Sequence, residues 1–250
     1  IIGAKMSNVR VMVYTCDEYC RTLPGFAYLL RVYWSAQQPV IYAGCPKLDL
    51  PKNFRWYQVQ SRIASRWSEG LIDFLNLIDD DLIVWLLDDY YLCRGVDHKA
   101  IESLAEYMRM HPDVLRIDLT ADRLHSGHAK DVDTWGHLDI IETDWSTPYN
   151  FSTQAAIWNV NHLLDSLRRE MSPWDFELQT AHRPELRVLG TRQAPIRYVN
   201  LIGSGLEEEY SYRAVHIREG LGGTMVERIA PEHLDKMLKL GMLPEGGYHG

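Results

Sequence analysis

The run Leu86-Leu87-Asp88-Asp89-Tyr90-Tyr91 sets two adjacent carboxylates directly behind an apolar stretch, Leu82 to Leu87. That stretch is strand-sized and apolar throughout, the pattern of a strand buried on both faces. Paired carboxylates at the carboxyl end of such a strand are costly unless they face a cation or a dipole. Hard divalent ions combine carboxylate oxygens with phosphate oxygens of a substrate, so the pair suits a metal–diphosphate site. A capping or turn pair in solvent is the other reading. A second acidic run, Asp79-Asp80-Asp81, precedes the strand and reads as a solvated turn.

Ser172-Pro173-Trp174-Asp175 has the form of a capped helix start, with serine at N-cap, proline at N1 and an acidic residue at N3. Glu177 follows two residues on. Positions two apart on a helix point about 200° apart, so Asp175 and Glu177 cannot both face one hydroxyl. Asp175 lies in the first turn, nearest the strand ends, where it can also reach back to the cap amide. His216, in Ala-Val-His-Ile-Arg-Glu, is a lone histidine that by itself reads as an ordinary surface or core residue. His125, His128 and His137 show no zinc spacing. Cys16, Cys20, Cys45 and Cys93 form no C-x-x-C pair and read as reduced, partly buried thiols of a cytoplasmic protein. No Walker loop, G-x-G-x-x-G, G-x-S-x-G or H-E-x-x-H occurs. Asn150-Phe-Ser152 fits a glycosylation sequon that a cytoplasmic chain would not use.

Elements must hold these groups. Val9, Val11 and Val13 alternate with Arg10, Met12 and Tyr14 as a strand ending at Thr15-Cys16-Asp17. A helix over 24–34 follows, then strands at 40–43 and 54–59. A second helix covers 67–78, capped near Ser65 or Ser68. Beyond the acidic pair come a helix over 97–110, closed by His111-Pro112, and a strand over 114–119. This strand–helix alternation predicts a parallel α/β sheet with ligands beyond the carboxyl ends of its strands. In the second half, 121–137 reads as a loop, 138–143 and 151–159 as strands, and 160–170 as a helix. A short helix from 173, a strand over 196–200, a mobile stretch over 203–223 and a helix over 231–240 complete the pattern.

The 250 residues, 46% hydrophobic and 24% charged, have ordinary globular composition with no internal repeat or low-complexity tract. With 26 basic against 34 acidic residues, the formal charge of −8 disfavours nucleic acid and anionic membrane as partners. The apolar runs fall short of the ~20 residues a membrane span needs. The start, Ile1-Ile-Gly-Ala-Lys5, is neither a signal peptide nor a methionine start and reads as a cloning remnant or the inner edge of a longer chain. Aromatics favour rings with a polar handle, 8 Trp and 14 Tyr against 5 Phe, which suits stacking on sugars or bases and also plain cores.

Taken in order, these pieces resemble the GT-A class of nucleotide-sugar glycosyltransferases, in particular small bacterial and phage-type members. The resemblance spans most of residues 8 to 220. It is carried by Val9–Thr15 with Asp17, Ser65-Arg-Trp-Ser-Glu-Gly-Leu71, Leu-Leu-Asp88-Asp89-Tyr, Phe151-Ser-Thr-Gln154, Ser172-Pro-Trp-Asp175-Phe-Glu177 and His216. It implies a single α/β GT-A (Rossmann-like) domain with a mixed, mostly parallel sheet flanked by helices. Residues 8–120 would form the nucleotide-sugar-binding half and 121–225 the acceptor and catalytic half, closed by helix 231–240.

The implied activity is inverting transfer of a sugar from a UDP-type donor to a glycan hydroxyl, as in polysaccharide biosynthesis, with Mn²⁺ or Mg²⁺ as cofactor. Thr15, Asp17, Tyr19, Arg66, Trp67, Ser68, Asp88 and Gln154 would bind the donor, and Asp89 and His216 the metal. The family's base is an acidic residue in the first turn of a helix at this point in the chain, which implies Asp175, nearest the strand ends, or Glu177 if Asp175 is committed to capping. Tyr149 and Trp174, with Tyr90, would offer stacking platforms to sugars, and the 203–223 stretch would close over the donor. Where the family carries Asp-x-Asp, this chain has Asp-Asp-Tyr, which leaves the roles of Asp88 and Asp89 exchangeable and a weak or absent metal requirement open. A plain turn at Asp17 and a core-packed Trp67 are the structural alternatives. A nucleotidyltransferase shares the strand-end carboxylates, although the loop Thr15-Cys-Asp-Glu-Tyr-Cys20 lacks the glycines it uses. A catalytically silent glycan-binding module is the third reading.

Overall fold

Alternation in the first strand divides the molecule into two cores. In a computed structural model of the chain, β1 (Arg10–Tyr14) sends Val11 and Val13 to one side of a sheet and Met12 and Tyr14 to the other. The structure describes residues 9–60, 66–125, 129–147, 149–180, 183–201, 215–220 and 223–243. β1 is flanked in parallel by β2 (Val40–Ala43) and β4 (Leu82–Leu86), and β2 by β3 (Phe54–Trp56). β4 is buried along its whole length, as an uninterrupted apolar run between two helical layers must be. With β6 (Val114–Asp118), β7 (Lys130–Trp135), β8 (Leu138–Thr143), β9 (Ala156–Asn159) and β10 (Arg187–Thr191), the order is β3-β2-β1-β4-β9-β6-β10-β8-β7. Only β8 and β9 run against the others, so the sheet is mixed and mostly parallel, as expected.

One face is covered by α1 (Leu23–Tyr33), α3 (His98–Met110) and α7 (Pro231–Lys239), which contribute residues such as Phe26, Leu104 and Met237. The other carries α2 (Trp67–Leu77), α5 (Val160–Ser166) and α6 (Pro173–Gln179), with Phe74, Leu163 and Phe176 against Trp85 and Trp158. Asp97 caps α3 by accepting the Ala100 N–H at 3.0 Å, and Asn159 caps α5 through the His162 N–H at 3.1 Å. Two small antiparallel pairs lie beside the large sheet: β5 (Tyr90–Leu92) with β11 (Tyr198–Asn200), and a hairpin of β12 (Val215–Gly220) and β13 (Gly223–Arg228).

Several local expectations need correction. The 121–137 loop contains α4 (Asp122–His125) and β7, an exposed edge strand. Polar residues on both faces of Lys130–Trp135 hide its period, and pairing with β8 holds it. The 151–159 strand is limited to β9, and the helix from Val160 stops at Ser166, whose hydroxyl donates back to the His162 carbonyl at 2.7 Å. The strands at 54–59 and 196–200 shorten to β3 and β11, and β5 and β10 were not foreseen. Of the stretch 203–223, residues 215–220 and 223 belong to the hairpin, while 203–214 and 221–222 lie outside the described residues.

Arg66, not a serine, is the N-cap of α2, and Ser65 lies outside the described residues. Asp79–Asp81 is not a purely solvated turn: Arg10 Nε donates to Asp80 at 2.8 Å and Arg109 Nε to Asp81 at 2.8 Å. All four cysteines are free. Among the described residues, no helix is long and apolar enough to cross a membrane.

Candidate functional site

The sheet brings separate pieces of sequence to one edge. Asp88 and Asp89 follow β4, Thr15 follows β1, and Asp118 ends β6. β9 enters against both β4 and β6, with Ala156 paired to Trp85 and to Asp118, so residues 151–155 lie at the same edge. This is the carboxyl end of the parallel strands, where α/β sheets hold ligands.

Asp88 and Asp89 are both buried, at 7% and 8% exposure. The Thr15 hydroxyl donates to Asp88 Oδ2. Burial pushes the Asp88 carboxyl up to about 7, against the Thr15 hydrogen bond, which favours the charged form. Gly44 sets the approach of β2 to Thr15. Its φ of +89° suits glycine, and a Cβ there would overlap the Thr15 carbonyl. The Asp89 carbonyl accepts the Leu201 N–H at 3.0 Å, tying the acidic pair to the β5–β11 ribbon.

A hard, acidic pair of oxygen donors fits Mn²⁺ or Mg²⁺, which keep water and phosphate oxygens in their remaining positions. Among the described residues, no group of three or more His, Cys, Asp and Glu side chains forms a metal cage. His216 stands on β12 opposite Glu227 in the hairpin register, and its side chain lies outside the described part, as do those of His125 and His128.

The two acidic residues of α6 have different surroundings. Ser172 and Asp175 form a reciprocal capping box: Asp175 Oδ2 accepts the Ser172 N–H at 2.9 Å and hydroxyl at 2.6 Å. Oδ1 accepts the Gln179 amide. These bonds with Ser172 hold the Asp175 carboxyl below its usual range. Glu177 instead takes two bonds on a single oxygen, Oε1, from the Thr153 N–H at 2.6 Å and hydroxyl at 2.7 Å. Its Oε2 has no partner among the described residues. Burial, with smaller contributions from Tyr198, Asp89 and Glu177, pushes the Tyr90 phenol well up.

The remaining expected site residues divide. Asp17 is exposed and Tyr19 half-buried beside the first strand end. Gln154 is placed at the edge with its Oε1 buried and without a partner among the described residues. Tyr149 and Trp174 present rings to solvent, 51% and 71% exposed. Arg66 is exposed and 3.8 Å from Glu69. Trp67 packs between Trp85, 6.2 Å away and stacked, and Phe176 at 5.7 Å, which makes it part of the aromatic core. Ser68 is fully buried and accepts the Met171 N–H at 3.0 Å, so its hydroxyl joins α2 to the chain before α6. Tyr90 is not a platform: it is buried and stacked on Tyr198 at 4.0 Å. Asn150 is buried and accepts from Arg123 at 3.0 Å, out of reach of modification in the folded chain.

The sequence reading missed a charged cluster next to this edge. Arg116 and Asp118 are fully buried, joined at 2.9 Å, and Arg123 stands 3.5 Å from the same carboxylate. Arg and Asp two apart in the otherwise apolar Val114–Leu119 were the available signal, since buried charges require partners.

No protein-family model matches the chain, and no curated relative matches it. Among solved structures, residues 1–349 of TarS from S. aureus in complex with UDP are similar at 10% identity and a TM-score of 0.45, covering 83% of this chain and 69% of that one. A cytidylyltransferase from Leptospira borgpetersenii is similar at 11% identity and a TM-score of 0.37, covering 68% of each chain. An apo UDP-glucose pyrophosphorylase is similar at 7% identity and a TM-score of 0.40, covering 77% of this chain and 93% of that one. Identities this low leave activity to be argued from residues.

Proposed function

We propose that the chain is a GT-A-type glycosyltransferase that moves a sugar from a UDP-type donor to a hydroxyl of an acceptor glycan with inversion. The observation that carries this reading is the arrangement at the sheet edge. Two buried carboxylates stand behind β4, and Glu177 is held by one oxygen while the other has no partner among the described residues. The first pair suits a cation–diphosphate leaving group, and the second feature suits removal of a proton.

Asp89, with His216 from the hairpin, would hold Mn²⁺ or Mg²⁺, and that ion would neutralise charge on the departing diphosphate. Asp88, Thr15, Asp17, Tyr19 and Gln154 would line the nucleotide and donor sugar. Glu177 would take the proton from the acceptor hydroxyl as its oxygen bonds to the anomeric carbon. The bond from that carbon to the diphosphate oxygen breaks, and UDP leaves with the electron pair. The outcome is inversion because the hydroxyl attacks opposite the leaving group. Tyr149 and Trp174, exposed on the loop and helix that flank Glu177, would stack on acceptor sugars. Asp175 would cap α6 and leave the proton to Glu177.

The test is UDP release from a panel of UDP-sugars with Mn²⁺ and candidate glycan acceptors, followed by the anomeric configuration of the product. Release of UDP with inverted product supports the reading. Pyrophosphate release from a nucleoside triphosphate would assign the chain to nucleotidyl transfer instead. Binding of glycan with no turnover would make it a silent module.

A further inference from the structure

Thr153 and Arg116 form a chain of contacts ending on Glu177, and the bond pattern gives each a task. Residues 149–154 have no regular secondary structure to hold them before β9 begins. Arg116 holds this loop from below. Its side chain projects from β6 into the core, lies 4.8 Å from the Trp158 ring centre, and donates through Nη1 to the Ser152 carbonyl. A register shift in β6 opposite Arg187 and Val188 lets Leu115 and Arg116 both face this core. Asp118 fixes the other arm of the guanidinium at 2.9 Å. Arg123 holds the loop's other end through the Tyr149 carbonyl at 2.7 Å, at a residue whose φ of +60° is uncommon without glycine.

The Ser152 carbonyl and the Thr153 N–H belong to the same peptide unit. Orienting the first therefore orients the second, which donates to Glu177 Oε1. The Thr153 hydroxyl adds a second bond to that oxygen. Both donors converge on Oε1, while Oε2 has no partner among the described residues. Two buried guanidinium groups, Arg116 and Arg123, converge on the Asp118 carboxylate, which keeps Arg116 fixed behind the loop. Burial pushes the Arg116 guanidinium down, and the carboxylates of Asp118, Glu177 and Asp122 oppose that.

We infer that Thr153 is a positioning residue for Glu177, with the buried Arg116 guanidinium setting the Ser152–Thr153 peptide so that Oε1 is held and Oε2 is presented to an acceptor hydroxyl. This rests on the proposed role of Glu177 as base. Thr153 contacts no reacting atom; it fixes the angle from which the base approaches. A hydrogen bond to a charged group is worth about 1.5–3 kcal/mol, so losing the hydroxyl lowers turnover about 10- to 100-fold.

The experiment compares Thr153→Val, Thr153→Ser and Glu177→Gln by UDP release from UDP-glucose and UDP-N-acetylglucosamine with Mn²⁺ and acceptor. Thermal unfolding is followed in parallel. Thr153→Val is expected to lose kcat about 10- to 100-fold with donor KM within about twofold, and Thr153→Ser to restore most of it. Should Thr153→Val melt early, Thr153→Ala supplies the same comparison. Wild-type kcat in Thr153→Val while Glu177→Gln is inactive overturns the positioning role and leaves the base intact. A fall in both kcat and stability that serine does not restore reduces Thr153 to a structural contact. Full turnover in Glu177→Gln, or no UDP release by the wild type, overturns the reading beneath it.

Discussion

Replacing Asp88 by asparagine removes a charge held away from water and keeps an oxygen to accept the Thr15 hydroxyl. Burial pushes this carboxyl up to about 7, whereas an unfolded chain holds an aspartate near ~3.9. The native state therefore keeps a proton that the unfolded state has released. The stability this contributes is full below about pH 4, declines as pH rises, and is lost above about pH 7. A difference of about three units at ~1.36 kcal/mol each sets a ceiling of about 4 kcal/mol, or about 10 °C in Tm for a chain of this size.

Urea and thermal unfolding of wild type and Asp88→Asn, in chelator at pH 4.5 and pH 8, measure the effect. The variant is expected to be more stable at pH 8 by up to ~4 kcal/mol, and the gap to close to about 1 kcal/mol at pH 4.5. Adding Mn²⁺ at pH 8 should narrow the gap again, because a cation at the acidic pair stabilises the wild type more. A variant no more stable at pH 8, or a gap that ignores pH, refutes the argument that burial of Asp88 governs its charge.

Asp89→Ala is expected to abolish the Mn²⁺ dependence of UDP binding with the fold retained, measured by calorimetric titration with and without the ion. Glu177→Gln should lower turnover about 10²- to 10⁴-fold with UDP affinity kept. Asp175→Asn should keep turnover and lower the melting temperature, because its carboxylate serves the cap; wild-type rates in both variants would refute an acidic base on α6. Gly44→Ala should cost about 2 kcal/mol or more in urea unfolding, since a Cβ at φ +89° would overlap the Thr15 carbonyl. An alanine variant as stable as wild type would show that β2 and the end of β1 move apart freely.

Much of the frame was legible in the residues themselves. Val11 and Val13 against Met12 and Tyr14 state a strand with two buried faces, and Leu82–Leu86 states a strand in the middle of a sheet. Ser172-Pro173-Trp174-Asp175 states a capped helix, and the reciprocal bonds of the capping box are present. In each case neighbouring residues carry the whole signal, because the relevant forces act within a turn of helix or along one strand.

What the sequence left open depended on partners distant in the chain. Trp67, Tyr90 and Ser68 have side chains equally suited to a ligand or to a core; packing against Tyr198 and Met171 buries Tyr90 and Ser68, while Trp67 packs half-buried against Trp85. Exposed β7 has no apolar alternation to announce it, and only β8 makes it a strand. The different surroundings of Asp175 and Glu177 are invisible in Trp-Asp-Phe-Glu. They follow from which hydrogen-bond donors reach each carboxylate: Ser172, three residues away, for Asp175, and Thr153, from another segment, for Glu177. Local sequence fixes periodicity and caps, whereas desolvation and hydrogen-bond partnership, which set the chemistry of a buried charge, arise only when separate strands end at the same edge.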